Sequence, residues 1–308
     1  MRIVSLLPSA TEIVCAIGLV DELVGVTHEC DWPPSAFGRP VMTRSVYDLE
    51  GTPSRTINEI VGAAVHGGSS LYALDEEALA AAQPDLILTQ ELCRVCAVSY
   101  RDVNDVARAI DSRIRVVSLE PTSIEGIFNS ITTIGAMTES EDAAVDLVEA
   151  LRARLGAIER KVQKRRENGV RPPRIVGLEW LDPPFAVGHW VPEQIRRAGG
   201  WDLLGEAGEQ SVETTWWAIS EVDPEMLVLM PCGYDLAATV DEWDRVPRPS
   251  MWHDIEAVRR GQIFAVDGSA YFSRPGPRVI DGIELLAEIF DPNAFVDVAP
   301  PGSWTPVA

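Results

Sequence analysis

Residues 139–168 contain no proline and a single glycine, Gly156, in a 308-residue chain that carries 22 prolines elsewhere. Within that stretch Ala143, Val145, Leu147, Val148, Leu151, Leu155, Ile158 and Val162 recur at helical spacing. The pattern predicts one helix of about 28 residues, roughly 40 Å long at 1.5 Å per residue. Lys164, Arg165 and Arg166 complement the dipole of its last turn, and Asn168-Gly169 supplies a stop. A helix of that length forces whatever precedes and follows it to build separate cores.

Both flanks alternate between short apolar runs and helical patterns. Before the long helix, strands are expected over 2–7, 23–27, 84–89 and 115–119. Helices are expected over 9–17, 75–82 and 123–137, the first opened by a capping box of Ser9 and Glu12. After Pro172-Pro173, strands are expected over 174–178, 226–230 and 262–266. Helices are expected over 192–198, from 235, and over 278–290. Such alternation argues an α/β fold of two lobes, each with a mainly parallel sheet flanked by helices, joined by the long helix as a backbone. The expected boundaries are 1–137 for the first lobe, 138–170 for the connector and 171–290 for the second lobe. Residues 291–308, with four prolines and little periodicity, read as an irregular surface tail.

The formal net charge is −21, from 26 Lys+Arg against 47 Asp+Glu. Residues 1–137 hold 9 basic and 18 acidic side chains, 138–170 hold 7 of each, and 171–308 hold 10 and 22. Two acidic lobes around a neutral connector exclude a nucleic-acid partner bound through its phosphates, and disfavour anionic membranes. No apolar run approaches the roughly 18–20 residues of a membrane span, so membrane insertion is not expected. The first eight residues read as a strand rather than a secretory signal, which gives a cytoplasmic expectation.

Five cysteines, at 15, 30, 93, 96 and 232, form no paired disulfide framework. His28 and Cys30 follow the second expected strand, Cys93 and Cys96 follow the third, and His189 falls in the second lobe. If these loops converged they would offer soft ligands to zinc, or a thiol to a chelated cobalt or iron. A metal- or thiol-dependent enzyme or redox protein is therefore one reading; two reduced thiols packing a loop is another. Phosphate-loop, Gly-x-Ser-x-Gly and His-Glu-x-x-His patterns are absent from the sequence.

The order of several stretches carries a resemblance. In the first half these are 3–12 (Ile-Val-Ser-Leu-Leu-Pro-Ser-Ala-Thr-Glu), 26–34 and 79–87. In the second half they are Pro183-Pro184-Phe185, Val187-Gly188-His189-Trp190, Ala198-Gly199-Gly200, Asp223-Pro224-Glu225 and Arg274-Pro275-Gly276-Pro277-Arg278. Over about residues 2–290 the chain resembles the substrate-binding proteins of ABC importers with a rigid helical backbone, of the cobalamin- and iron-siderophore-binding type. The resemblance implies a non-enzymatic protein that holds a corrinoid or related metal chelate in a cleft between the lobes, with no resident cofactor required. The cleft would be lined by loops at the carboxyl ends of the strands. Candidate contacts are Pro8, Trp32, Tyr72 and Gln90 in the first lobe. In the second they are Phe185, His189, Trp190, Trp216, Trp217, Tyr271, Phe272 and Arg274. Large flat ligands are gripped by aromatic faces, although each of these rings could equally be core. Where cobalamin binders can carry a tryptophan, this chain has Gln90-Glu91-Leu92-Cys93, a more polar face. The resemblance also implies docking to an ABC permease, if the protein is exported, through one acid per lobe. Glu77 matches the first position and Glu221 approximates the second.

Overall fold

A computed structural model describes residues 1–49, 51–66, 70–90 and 100–307. The elements run β1 (Ile3–Ser5), α1 (Pro8–Ala16), β2 (Leu23–Gly25), β3 (Thr43–Ser45), α2 (Ser54–His66), β4 (Tyr72–Leu74), α3 (Glu76–Ala82), β5 (Leu86–Thr89), α4 (Tyr100–Ile110), β6 (Arg115–Ser118), α5 (Ile124–Met137) and α6 (Glu141–Glu167). They continue with β7 (Arg174–Leu181), β8 (Pro184–Ala186), α7 (Val191–Arg197), β9 (Trp201–Asp202), β10 (Val212–Glu213), α8 (Trp216–Val222), β11 (Met226–Leu229), α9 (Leu236–Arg245), α10 (Glu256–Arg259), β12 (Ile263–Val266), α11 (Gly268–Tyr271), α12 (Val279–Phe290) and β13 (Trp304–Pro306). The chain divides into two compact units. One comprises 1–52, 56–121 and 125–149; the other comprises 53–55, 122–124 and 150–308.

In the first unit the sheet order is β2-β1-β5-β6, every pair parallel. β1 and β5 are buried along their whole length, as strands covered on both faces must be. Val4, Leu6, Leu79, Ile87, Val103 and Ala107 form one core on a face of that sheet. The capping box expected at α1 does not form. Pro8 takes the first turn, Leu7 is the cap residue without a side-chain bond, and Ser9 and Glu12 are buried. Proline's fixed φ suits that first position, so the turn needs no hydroxyl cap.

In the second unit β7, β11 and β12 are parallel neighbours, and β9 adds to β7 in parallel. β8, β10 and β13 extend the sheet with antiparallel pairs. The 291–308 segment is not the irregular tail its composition suggests. β13 pairs with β12, Phe295 is 1% exposed, and Glu288 accepts the backbone N–H groups of Val298 (2.8 Å) and Ala299 (2.9 Å). A three-residue edge strand needs no periodicity, and an edge tolerates Pro306, which has no N–H to offer.

Helix α6 spans 27 residues, acidic at its start and basic at its end. Arg154 ties its second half to α12 by donating to Glu284 (3.0 Å) and pairing with Asp281, and these acids hold the guanidinium pKa above its ordinary value.

One local device is built twice, 140 positions apart. A seven-residue helix (α3, α8) is capped by Asp75 or Thr215, and closes on a left-handed residue, Gln83 (φ 45°) or Asp223 (φ 42°). A Pro-acid pair follows, Pro84-Asp85 or Pro224-Glu225, and then a buried strand. Each acid accepts the backbone N–H that opens the neighbouring strand: Arg2 to Asp85 at 2.7 Å, Arg174 to Glu225 at 3.0 Å. Proline cannot continue the helix, and the carboxylate fixes where the next strand starts.

Candidate functional site

In the second unit β7, β11 and β12 end along one edge of the sheet, so the loops that follow them leave from that edge. Phe185 lies on β8, not in the turn expected for it, opposite Trp180 and Glu213. It is half-buried. Trp180 meets Tyr234 edge to face, with centroids 5.5 Å apart. Its indole N–H donates to Ser54 O at 3.2 Å. Burial pushes the Tyr234 hydroxyl pKa up to about 12, so it stays protonated and can donate. Neither Trp180 nor Tyr234 stood out in the sequence. The signal was present, since each lies at or just beyond the carboxyl end of an expected strand.

The 187–190 turn is held by backbone bonds: His189 N–H donates to Glu209 O (2.6 Å), and His189 O accepts from Gly208 N–H (2.8 Å). A Cβ on Gly188 would lie 2.3 Å from Ser211 N, so only glycine fits there. His189 has φ +52°, and its Nε2 is buried without a hydrogen bond among the described residues. Burial lowers its pKa, leaving a neutral imidazole at pH 7. Glu179 accepts Gly188 N–H at 3.2 Å, and desolvation raises its carboxyl pKa.

Trp190 and Phe272 are buried, at 6% and 3% exposure, and act as props. Trp190 Nε1–H donates to Phe272 O at 3.0 Å, joining the turn after β8 to the end of α11. Gln194, fully buried, adds donations to Tyr271 O (3.1 Å) and Val279 O (2.9 Å). Tyr271 closes α11 and remains half-buried beneath the Arg278 guanidinium, 5.8 Å from its ring centroid. Arg274 is half-buried in the same loop. Trp216 and Trp217 open helix α8 and do not lie in a loop as expected. Trp216 packs on Trp252 (5.4 Å) and Trp243 (6.2 Å), whereas Trp217 is 62% exposed.

In the first unit Pro8 begins α1 just past β1, Trp32 is 45% exposed, and Gln90 is buried immediately after β5. Tyr72, on β4, donates its hydroxyl to Glu29 (2.9 Å), and its ring lies 5.5 Å from that of His28. His28 Nδ1 bonds Thr43 Oγ1 at 2.8 Å. Cys30 Sγ sits between Thr11 Oγ1 (3.1 Å) and Thr27 Oγ1 (3.3 Å), and Thr11 donates onward to Ser5. The thiol is thus engaged by hydroxyls. Among the described residues no three His, Cys, Asp or Glu side chains are grouped to hold a metal. Cys93 and Cys96 lie outside the described residues.

Glu77 is exposed in the first turn of α3, and Glu221 is exposed near the end of α8. The 140-residue repeat pairs Glu77 with Trp217 and Glu221 with Ala81. Glu221 is therefore not the counterpart of Glu77.

A family model described as periplasmic binding protein matches residues 3–270. The chain is 25% identical to the ABC transporter substrate-binding lipoprotein YvrC of Bacillus subtilis (strain 168), covering 96% of this chain and 81% of the relative. It is 24% identical to a cobalamin-binding protein of Halobacterium salinarum, covering 94% and 69%. The crystal structure of a periplasmic heme-binding protein from Pseudomonas aeruginosa shares the fold at a TM-score of 0.70 and 18% identity, covering 95% of this chain and 93% of that one. The Bacillus relative is a lipoprotein and the Pseudomonas protein is periplasmic, so neither supports the cytoplasmic expectation, and none of the relatives supports a zinc- or thiol-dependent enzyme. No helix among the described residues is long and apolar enough to cross a membrane. Two sheet units with a long helix between them in sequence, and a family match over most of their length, lead to one assignment: the chain belongs to the periplasmic binding protein family, whose members bind substrates and are not enzymes.

Proposed function

We propose that the protein binds a corrinoid or a related planar metal chelate as cargo, and delivers it to an ABC permease. The observation that carries this reading is the aromatic edge of the second unit, where Phe185, Trp180, Tyr234 and Tyr271 follow or end neighbouring strands over the Trp190–Phe272 brace. Aromatic faces with a few fixed polar groups suit a large flat ligand. By itself the first unit carries a more polar set, Tyr72, Trp32 and Gln90, a chemistry that suits amide or carboxylate side arms. A curated relative named for cobalamin and a fold neighbour named for heme support the same ligand class. The metal would arrive within its chelate, so no resident cofactor is required. The relatives' character also supports work outside the cytoplasm, which fractionation of cells expressing the full-length gene would read directly.

Absorption and tryptophan-quenching titrations with cyanocobalamin and with haemin test the reading. One of them should bind at 1:1 stoichiometry with a shifted visible band, and Tyr271→Ala should weaken it about tenfold, the loss of one stacked ring. Binding of neither, with stoichiometric zinc in the purified protein, refutes the proposal.

A further inference from the structure

The second unit carries a cavity of about 430 Å³ at the amino ends of its strands. Pro173, Met226 and Gln262 line it, the residues at or just before the starts of β7, β11 and β12. It therefore lies at the opposite edge of that sheet from Phe185 and Tyr271. Its size falls in the range of small-molecule sites.

The lining reverses the charge of the molecule. Four guanidinium groups, of Arg165, Arg166, Arg171 and Arg260, face two carboxylates, of Glu225 and Asp291, in a chain where acids outnumber bases 47 to 26. Arg165 pairs with Asp291, Arg171 with Glu225, and Arg260 with Glu256. Arg166 makes no ion pair among the described residues. The guanidinium groups are not needed to satisfy the helix ends that reach the cavity. Gly169 and Val170 N–H groups already donate to Arg166 and Arg165 carbonyls at the end of α6. Gly199 and Gly200 do the same for Arg196 and Ile195 at the end of α7. Behind the arginines the walls are apolar, with Val162, Ala198 and Phe295 buried.

We propose that this cavity binds a small amphipathic anion, a carboxylate or sulfonate on an aromatic body. Arg166 and Arg260 engage the anionic head, and the ring lies against Val162, Phe290 and Phe295. This site goes beyond the chelate-binding reading and does not depend on it. An apolar wall supplies contact area, and guanidinium forks supply orientation.

The test uses 8-anilinonaphthalene-1-sulfonate as the probe, titrated into the full chain by fluorescence. Saturable 1:1 binding is expected, weakened about tenfold by Arg166→Glu and several-fold by Arg260→Gln. Both arginines are exposed, so the thermal midpoints should stay near that of the parent. Arg101→Glu, which makes the same charge change on α4, should leave the affinity unchanged. Excess cyanocobalamin should leave the probe bound. The proposal is overturned if the probe does not saturate, if Arg166→Glu and Arg101→Glu behave alike, or if cyanocobalamin displaces the probe. Because the readout is the probe itself, failure to bind any chelate would not be mistaken for failure here.

Discussion

Replacing Glu225 by glutamine removes a charge from a buried site while keeping its shape. The carboxylate is 7% exposed, accepts Arg171 Nη1–H at 2.6 Å, and accepts the Arg174 backbone N–H at 3.0 Å. Arg171, first, and the Arg174 backbone N–H hold its pKa down from 4.5 to about 2. A depression of that size corresponds to about 3 kcal/mol of stability at pH 7. The Arg171 side chain is 68% exposed, so solvent screens its half of the pair. Roughly 1–2 kcal/mol is the working figure after that discount. A carboxylate with a lowered folded pKa stabilises the fold above its unfolded pKa, and that contribution is lost as pH falls. Parent and Glu225→Gln should therefore differ fully at pH 7, begin to converge below pH 4.5, and meet near pH 2. Urea unfolding at pH 7, 5, 4 and 3, followed by tryptophan fluorescence, reads the gap directly. A gap that does not change with pH would show that the ionised carboxylate is not its source, and would sink the account of how β7 is held to β11.

Three further outcomes follow from the same geometry. Gly268→Ala places a Cβ 2.4 Å from Pro231 O, a backbone atom that cannot step aside, so a loss of about 1–3 kcal/mol and weaker chelate binding through the displaced Tyr271 loop are expected in thermal melts and titrations. Trp190→Phe keeps the ring but orphans Phe272 O, and should cost about 1–2 kcal/mol; an unchanged melting midpoint would mean that the N–H bridge contributes nothing. Asp202 has its pKa raised to about 6 by burial, against the pull of backbone N–H bonds from Gly177, Gly205 and Leu204. A raised acid destabilises the fold once ionised, so its contribution falls as pH rises from about 4 to about 6, and Asp202→Asn should flatten stability over that window.

Long periodic elements were legible in the sequence. The proline-free run became α6 within two residues at its start, and the apolar runs at 84–89 and 226–230 contain the parallel strands β5 and β11. Periodicity reports which face is buried over many residues, so a 27-residue helix announces itself. Single-residue features did not. Ser9 has the composition of a cap, yet Pro8 displaced it. Trp216 and Trp190 have the composition of a ligand platform, yet one rests on two other tryptophans and the other holds Phe272. A large ring is used the same way, by burial, whether its neighbour is a ligand or the core, so composition alone cannot separate the two uses. β13 escaped notice because its ladder to β12 is specified by the partner strand rather than by its own pattern.

The duplicated helix, Pro-acid and strand device sets which positions of each repeat the backbone commits and which it leaves to vary. Asp85 and Glu225 are committed to strand starts, and Gln83 and Asp223 to helix ends, so the amino edge of each device is fixed by backbone needs. Among the described residues the device does not recur after the strands, where the backbone is held in other ways, as by Met230 N–H to Leu178 O (2.9 Å) and Cys232 N–H to Glu179 O (3.0 Å). Gln90 follows β5, and the Met230–Tyr234 loop follows β11, with different chemistry at matching positions of one repeat. The surface of the repeated helix is equally unconstrained, and there the two copies have diverged from Glu77 to Trp217, both exposed. If exposure leaves such positions free to acquire partners, exchanging the character of one should change recognition without changing folding. Glu77→Gln and Trp217→Ala should each leave the unfolding free energy from urea titrations within about 0.5 kcal/mol of the parent. A large loss of stability in either would place that side chain in the architecture instead, and the division between a fixed strand start and a free surface would fail at that point.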